Sequence, residues 1–253
     1  MWLLLAVLLA NAARAQVPAY SAASMVNASN YAPGPFAPNS IVTIFGSALS
    51  RSSQGVTAGD IVNNTLPTVL NNTRVYVDGP PAPLLYVSDG QVNFLLPGNQ
   101  VAGDVKIWVV REGVTGPEIA MTLVDAAPAL FQTAAGYAIA AHLDSSAIAP
   151  GSPAQAGEII VLYACGLGRT QPNPAPGVIP QSAAVIQRLS DLKVYLGGAA
   201  IDPARILYAG LTPGSPGLYQ INLVLPDNLG TDPEIRVAIA DQSSPTGLKL
   251  AVQ

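Results

Sequence analysis

The stretch GQVNFLLP, Gly90 to Pro97, returns later in the chain as YQINLVLP, Tyr219 to Pro226. Four other blocks recur in the same order. NSIVTIFGSAL (Asn39 to Leu49) matches GEIIVLYACGL (Gly157 to Leu167), and TRVYVDG (Thr73 to Gly79) matches LKVYLGG (Leu192 to Gly198). PLLYV (Pro83 to Val87) matches RILYA (Arg205 to Ala209), and after the Gln-x-Asn blocks DVKIWVV (Asp104 to Val110) matches EIRVAIA (Glu234 to Ala240). A period of about 120 residues is too long for a solenoid of small units and calls for two tandem copies of one domain.

Each block reads as a strand, with a run of four to eight residues rich in Val, Ile, Leu and Tyr, bounded by Gly, Pro, Asn or Asp. In DVKIWVV the residues Val105, Ile107 and Val109 share one face, and Lys106, Trp108 and Val110 share the other. Only 10% of the 253 residues are charged, far below the roughly 25% of an average soluble chain, while Gly and Pro number 23 each. Long helices need charged wet faces, so this composition favours short strands joined by turns, and an antiparallel β-sandwich in each copy. The first copy is expected over residues 16–125 and the second over 126–253. The linker DAAPALF (Asp125 to Phe131) is short and contains Pro, which restricts the mutual orientation of the copies. A last strand, TGLKLAVQ, is expected at the very end.

The N-terminus, MWLLLAVLLANAARAQ, carries an apolar core of signal-peptide length followed by Ala13-Arg14-Ala15, a small-x-small cleavage pattern. Residues 1–15 are therefore expected to be removed, giving a secreted, periplasmic or surface protein. Loss of Arg14 from the 11 Lys and Arg, against 15 Asp and Glu, takes the net charge from −4 to −5. No basic run exists to neutralise phosphates, so nucleic acid is not an expected partner. No membrane-length apolar run follows residue 16, so insertion of the mature chain is not expected either. Cys165 is the only cysteine, which excludes an internal disulfide.

The strings APNSIVTIFGSAL, LPTVL, VYVDGPPAPLLYVSDGQVNFLLP and LYQINLVLP resemble a family of extracellular C-terminal domains of acidobacterial proteins, similar to immunoglobulin-like domains of the IPT/TIG type. The resemblance implies two tandem immunoglobulin-like antiparallel β-sandwiches and an exported location. It transfers no catalytic residue.

The residues themselves offer little chemistry. His142 is the only histidine, in AHLDSS beside Asp144, Ser145 and Ser146. Adjacent residues do not build a Ser-His-Asp relay, and no Gly-x-Ser-x-Gly elbow occurs. A zinc site needs several His or Cys ligands, and one of each is present. Cys165, matched to Ser47, reads as a small buried hydrophobe. No catalytic residue, metal ligand or cofactor is therefore expected.

Binding is the better prospect. Trp108 lies on a polar face and could stack on a sugar; its counterpart by block matching is Ala238. The competing reading has Trp108 covering a sheet edge or packing against the second copy. Two long loops at equivalent positions, Ser50 to Thr65 and Gly168 to Ala183, offer Asn63, Asn64 and Asn173 as ligand-binding groups. Gln91 and Asn93, repeated as Gln220 and Asn222, share one strand face in each copy. Asn93 and Asn222 are expected to be at least partly buried and to bond the backbone of the preceding turn in equivalent ways, as architecture rather than as a site. The chain thus reads as a secreted non-enzymatic protein with a binding or cell-surface structural role toward a protein or glycan. The alternatives are a carbohydrate-binding protein using Trp108 and the long loops and, behind it, a hydrolase built around His142.

Overall fold

The computed structural model describes residues 16–253; the expected signal peptide, 1–15, lies outside the described residues. Nine strands precede the linker: β1 (Met25–Asn27), β2 (Ile41–Phe45), β3 (Gln54–Gly55), β4 (Thr73–Val77), β5 (Leu84–Val87), β6 (Gln91–Leu95), β7 (Gly103–Arg111), β8 (Val114–Thr115) and β9 (Ile119–Leu123). The linker itself contains β10 (Ala129–Leu130), and ten strands follow: β11 (Ala140–His142), β12 (Ile159–Cys165), β13 (Thr170–Gln171), β14 (Ala184–Ile186), β15 (Leu192–Leu196), β16 (Ala199–Ala200), β17 (Ile206–Leu211), β18 (Tyr219–Val224), β19 (Ile235–Ile239) and β20 (Gln242–Ser243). The remaining elements among the described residues are four single 3-10 turns.

Every ladder is antiparallel, and the sheets fall into two pairs. In the first repeat a sheet ordered β1-β2-β6-β5-β3 faces a second one in which β4, β8 and β9 all pair with β7. Their inward residues, among them Val42, Ile44, Val92, Phe94, Val75, Ile107 and Val109, form one core. The second repeat reproduces this with β10-β12-β18-β17-β14-β13 against β16-β15-β19-β20 and has a separate core. The recurring blocks occupy equivalent strands: β2 pairs β6 as β12 pairs β18, and β4 pairs β7 as β15 pairs β19. The chain is thus two tandem antiparallel β-sandwiches, and the alternation read from DVKIWVV holds, with Val105, Ile107 and Val109 buried and Lys106 exposed.

The carboxyl end departs from expectation. Leu248, Leu250 and Val252 do point inward, but Thr246 to Gln253 is not a laddered strand. Lys249 bridges Tyr137 in parallel and Glu234 antiparallel, and Val252 bridges Ala154. The tail threads between partners on both sides, next to Pro233 and Pro153, which have no N–H to continue a ladder.

The two expected loops are also more structured than foreseen. The first contains β3 and a 3-10 turn at Ala58–Asp60, and the second contains β13.

Candidate functional site

The Gln-x-Asn strands lie at the centre of the larger sheet in both repeats. On β6, Val92 and Phe94 enter the core, leaving Gln91 and Asn93 half-buried on the outer face. On β18, Ile221 and Leu223 enter the core and Gln220 and Asn222 face outward. The partial burial expected of Asn93 and Asn222 is observed. Their expected bond to the preceding turn is not. Gln91 Nε2 donates to Asn93 Oδ1 at 2.8 Å, and Gln220 Nε2 donates to Asn222 Oδ1 at 2.9 Å. The turn needs no such help, because Ser88 N already donates to Gln91 O at 2.7 Å. Residues i and i+2 of a strand are neighbours on one face, so the longer Gln reaches its own strand's Asn first.

The neighbours of these amides also repeat. Phe45 stands opposite Gln91, and Tyr163 opposite Gln220. Tyr86 stands opposite Asn93, and Tyr208 opposite Asn222. The tyrosines arrive there through the same device, a register shift between Leu84 and Tyr86 and between Ile206 and Tyr208. The extra residue flips the alternation and brings each tyrosine to the outer face. Tyr208 Oη donates to Leu211 O at the end of its own strand at 2.8 Å and accepts from Ala184 N, at the start of the neighbouring β14, at 3.1 Å.

Trp108 sits on the outer face of the smaller sheet of the first repeat, half-exposed, on the central strand β7. It covers no sheet edge. Its ring stacks on that of Tyr76, its cross-strand partner, at 5.1 Å between centroids and 7° between planes. One face of the indole is therefore taken by the protein. Its counterpart is not Ala238. Tyr76 corresponds to Tyr195, and the residue opposite Tyr195 is Arg236, whose guanidinium lies 5.2 Å above the tyrosine ring. The block matching is two residues out of register, and a stacked aromatic pair in one repeat is replaced by a cation–π pair in the other.

The long loops meet each other. Asn173 Oδ1 accepts from Asn39 Nδ2 at 3.1 Å, and Asn173 Nδ2 donates to Gly98 O at 3.1 Å. Asn64 Nδ2 donates to Ile179 O at 2.8 Å, and Ile179 N donates back to Asn64 O at 3.0 Å. Arg169 donates to Gly98 O and Gln100 O. Beneath these bonds Leu66, Leu95 and Ile179 form a third, smaller apolar cluster that both repeats supply. Gly217, at φ 79°, closes over it; a Cβ there would lie 2.6 Å from Leu95 Cδ1 and 2.7 Å from Ile41 Cγ1. Of the loop asparagines singled out for binding, Asn64 and Asn173 have their amides engaged in this junction, while Asn63 is exposed with its backbone at φ 51°.

Cys165 belongs to the same junction. It is fully buried, and its sulfur accepts from Ile41 N of the other repeat at 3.3 Å. Burial pushes the thiol up to about 11, the reverse of what a nucleophile requires.

His142 meets different partners from those adjacent in sequence. Its Nδ1 lies 2.5 Å from Glu158 Oε1, and its Nε2 lies 3.3 Å from Ser152 O and 3.4 Å from Ser152 Oγ. The contact with Glu158 raises the imidazole above its ordinary value. A Ser-His-Glu relay needs Nε2 free of its proton to accept from the serine. Here Nε2 faces a carbonyl oxygen that only an N–H satisfies, and Glu158 favours the doubly protonated ring. Glu158 Oε2 also accepts from Gln155 N at 2.8 Å, so the group pins a turn. Asp144 accepts from Ser146 N and Oγ and closes a local turn instead of orienting His142. Among the described residues no group of three or more His, Cys, Asp or Glu is gathered to hold a metal ion, and no helix is long and apolar enough to cross a membrane.

These features define the class: a tandem β-sandwich of immunoglobulin-like kind with engaged junction loops and patterned outer faces. More particularly, residues 27–123 match the IPT/TIG domain family. No curated protein matches the chain. Among solved structures, the chain is similar to the surface glycan-binding protein PbSGBP-B from Prevotella bryantii, at 14% identity, over 92% of this chain and 41% of that one, with a TM-score of 0.28. It is also similar to SGBP-B of the Bacteroides ovatus mixed-linkage glucan utilization locus, in complex with a mixed-linkage heptasaccharide, at 12% identity over 86% and 41% of the chains, TM-score 0.31. Domains 5-6 of the S-layer protein SbsC match at 8% identity over 93% and 98%, TM-score 0.27. The chain spans 41% of the length of each of the two glycan-binding proteins.

Proposed function

We propose that the chain is a non-enzymatic module of an exported protein, a stiff two-repeat body that holds binding faces at a cell surface. In this reading residues 1–15 are cleaved, and the repeats divide at Asp125 and Ala126. The junction carries the proposal. The segments freest to evolve a ligand site, Ser50 to Thr65 and Gly168 to Ala183, bond to the other repeat over Leu66, Leu95 and Ile179. A flexible tether would leave those amides to water. Burial pushes the Cys165 thiol up to about 11, away from the thiolate a nucleophile needs, and contact with Glu158 raises the His142 imidazole, which favours its protonated form over the free base.

Small-angle scattering tests this. The wild-type profile should fit a single compact arrangement of the repeats. Ile179→Asp, which places a carboxylate in the apolar cluster, should enlarge the maximum dimension while circular dichroism shows both sandwiches intact. A wild-type profile that demands an ensemble of open arrangements contradicts the proposal.

A further inference from the structure

The duplicated outer face has a chemistry that the junction does not use. Its amides satisfy each other on one side only. Gln91 Nε2 and Asn93 Oδ1 are bonded, and so are Gln220 Nε2 and Asn222 Oδ1. Gln91 Oε1 and Gln220 Oε1, which are acceptors, and Asn93 Nδ2 and Asn222 Nδ2, which are donors, have no protein partner among the described residues. Each repeat thus offers one free amide carbonyl and one free amide N–H donor group, two residues apart on one strand face, beside an aromatic ring. That ring is Phe45 in the first repeat, 38% exposed, and half-exposed Tyr163 in the second. No charged side chain lies on the outer face of β2, β6, β12 or β18.

The first repeat adds another ring. Tyr31 is 60% exposed and lies 6.0 Å from Phe45, tilted by 42°. Its backbone is at φ 57°, a conformation uncommon for a bulky residue. The turn that Tyr31 closes, with Tyr31 N donating to Asn27 O and Asn27 N to Ala32 O, each at 2.8 Å, fixes that backbone and with it the place of the exposed ring.

A neutral acceptor and donor set side by side match two neighbouring hydroxyls, each of which donates and accepts. An aromatic ring beside them takes the C–H face of a pyranose. An anionic ligand would leave the free carbonyl facing like charge, and an apolar peptide would leave both amide groups buried without partners. We propose that the Phe45/Gln91/Asn93 and Tyr163/Gln220/Asn222 faces are two equivalent subsites for a neutral polysaccharide. This rests on the reading of the chain as a non-enzymatic binding module and places the ligand on the larger sheets, away from Trp108; in the first repeat the subsite adjoins Ile41 and Leu95 of the junction cluster.

Affinity electrophoresis of the mature chain through gels containing neutral polysaccharides (a mixed-linkage β-glucan, xylan and galactomannan) or the acidic alginate tests it. At least one neutral gel should retard the wild type. Phe45→Ala and Tyr163→Ala should each weaken the apparent affinity about fivefold to tenfold, the size of one aromatic contact, and the double variant should run free. Gln91→Ala, which removes no buried side chain, should reproduce the Phe45→Ala loss, and Trp108→Ala should bind as the wild type does. Retardation by alginate alone, by no gel at all, or undiminished in the double variant overturns the proposal. So does a dimer that Phe45→Ala converts to monomer, since the face would then be a contact between copies. Failure here leaves the scattering result on the two-repeat body untouched, so the two proposals fall separately.

Discussion

The main-chain N–H of Ile41 donates to the sulfur of Cys165, 124 positions away and in the other repeat, at 3.3 Å. The first strand of one sandwich's central pair begins where the equivalent strand of the other ends, and the lone thiol serves there as a buried acceptor. Burial pushes that thiol up to about 11, so it stays protonated through neutral pH. Folded protein at about pH 8 should therefore resist labelling by a thiol reagent, and one thiol should react after denaturation. Labelling of the native state at the rate of free cysteine would show that the junction opens.

A second expectation concerns pH. Contact with Glu158 raises the folded imidazole of His142 above its ordinary 6.5. A raised folded value contributes stability that is complete below the unfolded value and lost as pH rises through the folded one. The melting temperature of the wild type should thus exceed that of Glu158→Gln most near pH 6 and approach it near about pH 9. A difference that grows with pH would contradict the ion pair.

The two repeated asparagines should differ in stability cost. Asn93 Oδ1 accepts from Thr43 Oγ1 at 3.0 Å, and Thr43 is 1% exposed. Asn222 stands opposite Val161, which loses nothing. Asn93→Leu strands a buried hydroxyl and should cost about 1–3 kcal/mol, while Asn222→Leu should cost about 0.5 kcal/mol or less. Chemical denaturation of the two variants checks this, and equal costs would refute it.

Export predicts a mature product that begins at Gln16. N-terminal sequencing of the protein recovered outside the cytoplasm should find it, and retention of residues 1–15 in a soluble exported product would contradict cleavage.

The strands were legible because burial alternates with period two, as in Val105, Ile107 and Val109. The same period hid the true counterpart of Trp108. A slip of one residue would have turned every side chain to the wrong face, but a slip of two preserves the alternation, and so Ala238 was matched where Arg236 belongs. The segments between the Gln-x-Asn strands and these blocks, PGNQVAG and PDNLGTDP, differ in length, which is where the slip enters. The junction left no local trace at all: Asn173 finds partners 75 and 134 positions away, and Asn64 finds one 115 away. Glu158, 16 residues from His142, was likewise hidden, because the turn that joins them is defined by the ladder of β11 and β12 and by no spacing motif. The bulges before Tyr86 and Tyr208 could have been suspected, since PLLYV and RILYA both carry two apolar residues in succession before the tyrosine.

Backbone 15N relaxation of the mature chain reports whether the two repeats tumble as one body. If Asn39, Asn64, Arg169, Asn173 and the cluster beneath them join the repeats into one body, rigid amides of both sandwiches should report a single rotational correlation time, that of the whole chain. In Ile179→Asp the two sets should separate toward shorter times. Two distinct, shorter correlation times in the wild-type protein would show that the repeats move independently and would contradict the account.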